Sequence, residues 1–119
     1  MKMPELWELI ALFESEPKLM FDNGSEVPWF YNTLLFSLER ENSKLNIFIS
    51  PANCSISFEL TVCGSRVLDI SLQNVHEIRI QKEKGNEILF IDFADEDNIE
   101  EFYIQTRPYL FIKCSKCRY

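Results

Sequence analysis

Four groups of residues have the types and spacing from which chemistry could be built. Cys114-Ser115-Lys116-Cys117 has the spacing of a redox dithiol or of half a zinc site. Zinc needs four ligands, and a redox pair normally opens a helix after a strand. The further candidates here are His76 and two distant cysteines, Cys54 and Cys63, and the motif stands close to the end of the sequence. Incidental thiols are the expected reading, ahead of metal or redox chemistry, and no metal or cofactor is assigned. His76 is the one histidine and shares the parity of Ile78 and Ile80. That placement suits a core or edge residue better than a base, because no nucleophile with a spaced base and orienting group can be read around it. Asp95-Glu96-Asp97 with Glu100 and Glu101 could ligate calcium through clustered carboxylates, but the spacing does not match the twelve-residue calcium loop and the hinge glycine is missing. A solvated acidic loop and a protein-binding patch both remain open, since acidic loops on small rigid domains steer basic partners. Trp29-Phe30-Tyr31, directly after Pro28, is either an exposed aromatic platform or the entry to an apolar strand. The three glycines, Gly24, Gly64 and Gly85, are isolated, so no phosphate-binding loop is present. The chain is not expected to be an enzyme.

Charge decides which partners are plausible. The net charge is −7, and it is unevenly spread. Glu87, Asp92, Asp95, Glu96, Asp97, Glu100 and Glu101 fall in a stretch without a base, whereas Arg107, Lys113, Lys116 and Arg118 fall in a stretch without an acid. A chain this acidic would approach phosphates against its own field, which argues against nucleic acid and for a basic protein partner. The longest apolar runs are about five residues, far below the roughly 20 that a membrane helix needs. Met1-Lys2-Met3-Pro4 leads into an acidic amphipathic segment without the features of a signal peptide, so a cytoplasmic location is expected. Cys54 and Cys63 flank a strand and stand about 30 Å apart along extended chain, too far to pair with each other. Free thiols follow.

The elements that must carry these residues are legible from periodicity. Residues 4–15 suit a helix, with Pro4 in its first turn, Glu5 and Glu8 near its amino end, and Leu6, Leu9, Ile10 and Phe13 forming one apolar stripe. Trp7 lies off that stripe and is expected at the edge of the core, with a surface anchor for a partner as the alternative. The three aromatics at 29–31 are expected to enter a strand through Leu34, Phe36 and Leu38. A short connection at Asn42-Ser43-Lys44 leads to Leu45, Ile47 and Ile49. The centre of the chain, from Cys54 to Gln81, alternates apolar and polar residues in three runs: Ile56, Phe58, Leu60 and Val62; Leu68, Ile70 and Leu72; Ile78 and Ile80. It predicts a meander with one buried face. Ile88-Leu89-Phe90-Ile91-Asp92-Phe93 is apolar on both parities, the pattern of a strand central in its sheet or covered on both sides. Two further strands follow, at residues 99–105 and 109–114. The fold class is therefore α+β and mostly β: one amino-terminal helix on about eight mainly antiparallel strands, a sandwich or a curled sheet, in a single domain over residues 1–119. At 119 residues the chain is long enough to bury roughly two thirds of the surface its unfolded form exposes.

Pro28-Trp29-Phe30-Tyr31-Asn32 leading to Leu34-Leu35-Phe36-Ser37-Leu38, then Leu45-Asn46-Ile47, Ser57-Phe58-Glu59-Leu60-Thr61-Val62 and Leu68-Asp69-Ile70-Ser71-Leu72-Gln73-Asn74-Val75, follow one another in an order that resembles a family of bacterial polymorphic-toxin immunity proteins, the immunity protein fifty family. The likeness spans roughly residues 19–114. It departs at Tyr31-Asn32, where the family pattern tends to carry a His-Asp pair, so no functional residue is carried over. What the resemblance implies is a class: a protein that neutralises a cognate toxin by binding it.

These readings combine into a small protein that occludes a toxin stoichiometrically, as a monomer or homodimer. Its contact surface is expected at Asp95, Glu96, Asp97, Glu100 and Glu101, with Trp29, Tyr31 and Tyr103 as aromatic anchors. The alternative is a small-ligand binder with a pocket inside the sheet, lined by Phe and Ile and supplied with a polar group by His76 or Arg79.

Overall fold

The computed structural model describes residues 1–20, 29–93 and 99–116. Helix α1 runs from Leu6 to Phe13, shorter at both ends than the 4–15 expected from sequence. Its start is held by the Glu5 backbone N–H, which donates to the Glu8 carboxylate at 3.1 Å, so the acid three residues on satisfies a donor at the helix entry. It stops because Glu14 adopts a left-handed conformation, φ 59°. Leu9, Leu12 and Phe13 are buried, while Leu6 and Ile10 pack on the core from its margin. The apolar face is thus rotated towards Leu12 relative to the expected stripe. That rotation turns Trp7 outwards to 68% exposure, which corrects its expected place at the core edge.

Nine strands follow among the described residues, all pairing antiparallel with their neighbours. β1 (Lys18–Leu19), β2 (Leu34–Arg40), β3 (Ser43–Ser50), β4 (Ser55–Val62) and β5 (Ser65–Leu72) form one sheet in that order. β6 (Val75–Glu83), β7 (Asn86–Phe93), β8 (Ile99–Arg107) and β9 (Phe111–Lys116) form a second. Alternation sets which side of each strand is buried, and register lines those sides up. Leu34 stands opposite Ile49, Phe36 opposite Ile47 and Leu38 opposite Leu45; Ile47 then faces Phe58, and Ile49 faces Ile56. All of these are at most 3% exposed. A one-residue slip in any pair would send a whole row to solvent, so burial itself fixes the register.

The two sheets and α1 share one core. Phe58 of the first sheet meets Phe102 of the second edge-on at 5.7 Å between ring centroids, and Phe13 of α1 stacks on Phe36 at 4.8 Å. At Cys63-Gly64 and Lys84-Gly85 both central residues have positive φ, the geometry whose twist matches paired antiparallel strands.

Three expectations are corrected. The central region is not one meander: β5 and β6 are the edges of different sheets, because Asn74 at φ 57° turns the chain and the Val75 N–H bonds back to the Cys54 carbonyl at 2.9 Å. His76 does not share the buried parity of Ile78, because a bulge between Val75 and Glu77 leaves Val75 and Ile78 inside and His76 exposed. Trp29, Phe30 and Tyr31 do not enter β2. They form a 3-10 turn closed by the Asn32 N–H on the Trp29 carbonyl at 3.0 Å. β7, apolar on both parities, lies inside its sheet between β6 and β8 as expected.

One end of the molecule is tied by charge. Glu14, at the stop of α1, accepts from Arg40 at the end of β2 and from Arg107 Nε at the end of β8, the latter at 2.9 Å. Arg107 also meets Glu87 of β7 at 2.9 Å, and Lys82 of β6 meets the same carboxylate at 3.3 Å. Arg40 Nε donates to the carbonyl of the fully buried Thr106 at 3.0 Å. The helix and both sheets are therefore joined at this end through five charged side chains.

Candidate partner-binding surface

The second sheet turns one face to the core and the other to solvent, and the outer face is unusually aromatic. Register aligns Arg79 of β6 with Phe90 of β7, Phe90 with Tyr103 of β8, and Tyr103 with Lys113 of β9. The guanidinium of Arg79 sits 5.0 Å from the centroid of the Phe90 ring, Phe90 lies 5.4 Å from Tyr103, and Tyr103 lies 6.1 Å from Phe111. Such centroid spacings are those of attractive ring pairs. The stripe crosses all four strands and leaves Phe111 45% exposed. Ion pairs flank it: Arg79 Nε to Asp92 at 2.6 Å on one side, Lys113 to Glu101 at 3.3 Å on the other. The Asp92 carboxylate, by its hydrogen bond to Arg79, pushes that guanidinium still further above its ordinary range. A ring of polar pairs around half-buried aromatics is the arrangement in which a few anchors carry binding while the surroundings exclude water.

A second feature lies at the end of the molecule away from the charge network. The chain before α1 runs along β6: the Lys2 N–H donates to the His76 carbonyl, and Lys2 accepts from the Ile78 N–H, both at 2.9 Å. This brings Met1, Met3, Pro4 and Glu5 beside the 29–31 turn and beside the second 3-10 turn, Pro51–Asn53. Between them is a cleft of about 300 Å³ whose lining includes Trp29, Tyr31 and Pro51. Trp29 packs partly against the core, and Tyr31 is 63% exposed.

The residues singled out from sequence therefore fall in two places. Glu101 and Tyr103 lie on the outer face of β8, two positions apart and pointing the same way. Trp29 and Tyr31 line the cleft. Asp95, Glu96 and Asp97 lie outside the described residues, and so does the side chain of Glu100. Sequence reasoning missed Phe90, Phe111 and Arg79 as surface residues; the signal available was the double-parity apolar run at 88–93. The pocket reading loses its polar groups, since His76 and Arg79 are both exposed and Arg79 lies over the outer face, while Phe36, Ile47 and Phe58 fill the space between the sheets. Cys114 is exposed on β9, and Cys117 lies outside the described residues. No helix among the described residues is long and apolar enough to cross a membrane.

No family model matches the sequence, and no curated protein does. The fold does have a solved counterpart. A chain of the contact-dependent growth inhibition toxin–immunity protein complex from Klebsiella pneumoniae 342 superimposes with a TM-score of 0.78 at 19% identity, covering 96% of this chain and 95% of that one. The whole architecture is shared rather than a common motif, so the likeness is one of fold from end to end.

Proposed function

We propose that this protein is an immunity protein that binds a bacterial toxin and neutralises it by stoichiometric cover, without catalysis of its own, in the cytoplasm of the cell it protects. The observation that carries the reading is the end-to-end likeness to a chain of a toxin–immunity complex. The surface chemistry supports it. The net charge of −7 favours a basic partner, and the outer face of the second sheet offers Tyr103, Phe90 and Phe111 as anchors beside Glu101. Asp95, Glu96, Asp97 and Glu100 precede Glu101 closely in the sequence and are proposed as acidic contacts with it, and Trp29 and Tyr31 are proposed as a separate anchor at the cleft. Cover of this kind needs no metal or cofactor.

The test is to recover the partner and then to challenge a cell with it. Tagged protein is used as bait in lysate of its own source at low salt, and proteins released at high salt are identified. The expected partner is basic and near one-to-one, stops growth when expressed alone, and is harmless when this chain is expressed with it. A recovered partner that is not toxic, or whose toxicity this chain leaves unchanged, overturns the proposal. With that partner in hand, replacing Asp95, Glu96 and Asp97 together by Ala is expected to slow association several-fold and flatten its salt dependence, because steering acts on the on-rate. An unchanged rate and salt response would remove these acids from the interface.

A further inference from the structure

The outer face of the second sheet holds two complete rows of side chains, because register carries each row across all four strands. One row is Arg79, Phe90, Tyr103 and Lys113; the next, two residues along every strand, is Gln81, Ile88, Gln105 and Phe111. A period of two keeps both rows on the same side. Ile88, Phe90 and Tyr103 are half-buried and Phe111 is exposed. Charge on this face cancels locally: Arg79 holds Asp92 at 2.6 Å and Lys113 holds Glu101 at 3.3 Å, leaving Glu77, opposite Asp92, as the further carboxylate beside these pairs. The chain as a whole carries a charge of −7. A nearly neutral aromatic patch on it is where two copies can approach with the least repulsion.

We infer that this face pairs with itself in a second copy of the chain, about a two-fold axis that crosses the strands between the two rows. Such an axis lays each row of one copy on the other row of its mate, so every contact occurs twice. Phe90 then meets Ile88 of the other copy, and the Lys113 ammonium meets the Phe111 ring. The Tyr103 hydroxyl reaches the amide of Gln105, whose Nε2 is occupied by the Tyr109 carbonyl at 3.2 Å but whose oxygen accepts. Arg79, with Nε and Nη2 on Asp92, has Nη1 left for the Gln81 amide oxygen. An axis parallel to the strands would instead set Arg79 over Lys113, and like charges oppose it. Four strands at about 4.8 Å and roughly 20 Å of strand length give a footprint of about 400 Å² on each copy. The pair therefore buries roughly 800–1,000 Å², the range of weak, reversible contacts rather than of obligate dimers. A toxin that uses the same face has to displace the second copy; that consequence rests on the toxin-binding reading, whereas the pairing does not.

Sedimentation equilibrium of the full chain, without toxin, tests the pairing. Between about 10 µM and 1 mM the weight-average mass should rise from that of the monomer towards twice that value. Added salt should hold or strengthen the pair, since it screens the repulsion between two acidic copies. Phe111→Ser, at an exposed side chain on the edge strand β9, and Lys113→Glu, which places a further carboxylate beside Glu101, should each weaken pairing about tenfold or more while far-UV circular dichroism stays unchanged. Val67→Ser, at an exposed side chain on the edge strand β5, should leave pairing as it was. A monomer at every concentration, a pair that salt dissolves, a pair that survives both face variants, or one lost with Val67→Ser would overturn the inference. Pairing is read here without toxin and neutralisation by growth rescue, so either can fail while the other stands.

Discussion

Replacing Glu14 by Gln tests whether the charge network holds the helix to both sheets. The substitution keeps the side-chain shape and the left-handed backbone at φ 59°, so whatever that backbone costs cancels between the two proteins. What is lost is the negative charge that accepts from Arg40 and from Arg107 at 2.9 Å. Neither guanidinium is then stranded: Arg107 keeps Glu87 at 2.9 Å and Arg40 keeps the Thr106 carbonyl at 3.0 Å. The penalty of about 3–5 kcal/mol for breaking a buried pair therefore does not apply. The Glu14 side chain is 35% exposed and its partners 20% and 46%, so each pair contributes roughly 0.2–1 kcal/mol. Together they should amount to about 1 kcal/mol, or a fall in Tm of about 4 °C for a domain of this size. The pH dependence follows from the Arg40 and Arg107 hydrogen bonds, which hold the Glu14 carboxyl below its ordinary value of 4.5. A depressed carboxylate stabilises the fold above its unfolded pKa, and that contribution disappears as pH falls through the folded one. Thermal unfolding of both proteins at pH 7 and at pH 3 should thus show a gap at the first that has narrowed or closed at the second. Equal Tm at pH 7, or a gap undiminished in acid, would refute the electrostatic account.

Two further expectations concern packing and binding. Phe36→Ala removes a fully buried ring stacked on Phe13 and should cost about 3–5 kcal/mol by urea unfolding, enough to unfold much of the population if total stability is near the low end of about 5–15 kcal/mol; a loss under 1 kcal/mol would mean that α1 does not pack as described. Tyr103→Ala, at the centre of the outer stripe and between Phe90 and Phe111, should weaken the toxin complex about 30-fold or more if it is an anchor, measured by calorimetry, whereas a change under threefold would move the interface elsewhere.

The strands were legible wherever burial has a period of two. β2, β3 and β4 show their alternation in the sequence because one row of side chains meets a core and the other does not. The failures occurred where backbone geometry overrides the period. At His76 a bulge inserts one residue and reverses parity, and nothing in Val75-His76-Glu77 announces it. Around Trp29 the aromatic composition reads as strand, yet a turn closed by backbone hydrogen bonds puts Tyr31 at the surface. The split between β5 and β6 turns on one residue, Asn74, whose tolerance of positive φ is visible but whose consequence for sheet membership is not. The candidate surface was half legible. Tyr103 and Glu101 were found by type, but the stripe they belong to is assembled by register across four strands, and register is a long-range property that local spacing does not contain.

The strands also separate what holds the molecule together from what can bind. The carboxyl ends of β2, β6 and β8 and the start of β7 carry the network of Arg40, Lys82, Arg107 and Glu87. The opposite ends carry the cleft, for Leu34 opens β2 beyond the 29–31 turn, Ser50 closes β3 at Pro51, and Val75 opens β6 opposite Phe93, where β7 stops. From Glu87 to Phe93 is about 20 Å of extended strand, and at that distance two substitutions with no shared partner behave independently. Glu14→Gln combined with Tyr31→Leu should therefore lower the unfolding free energy by the sum of the single effects to within about 0.5 kcal/mol, measured by urea unfolding. Coupling larger than that would mean that strain passes along β7 or β8 from one end to the other, and that the network sets the packing of the far end as well as its own.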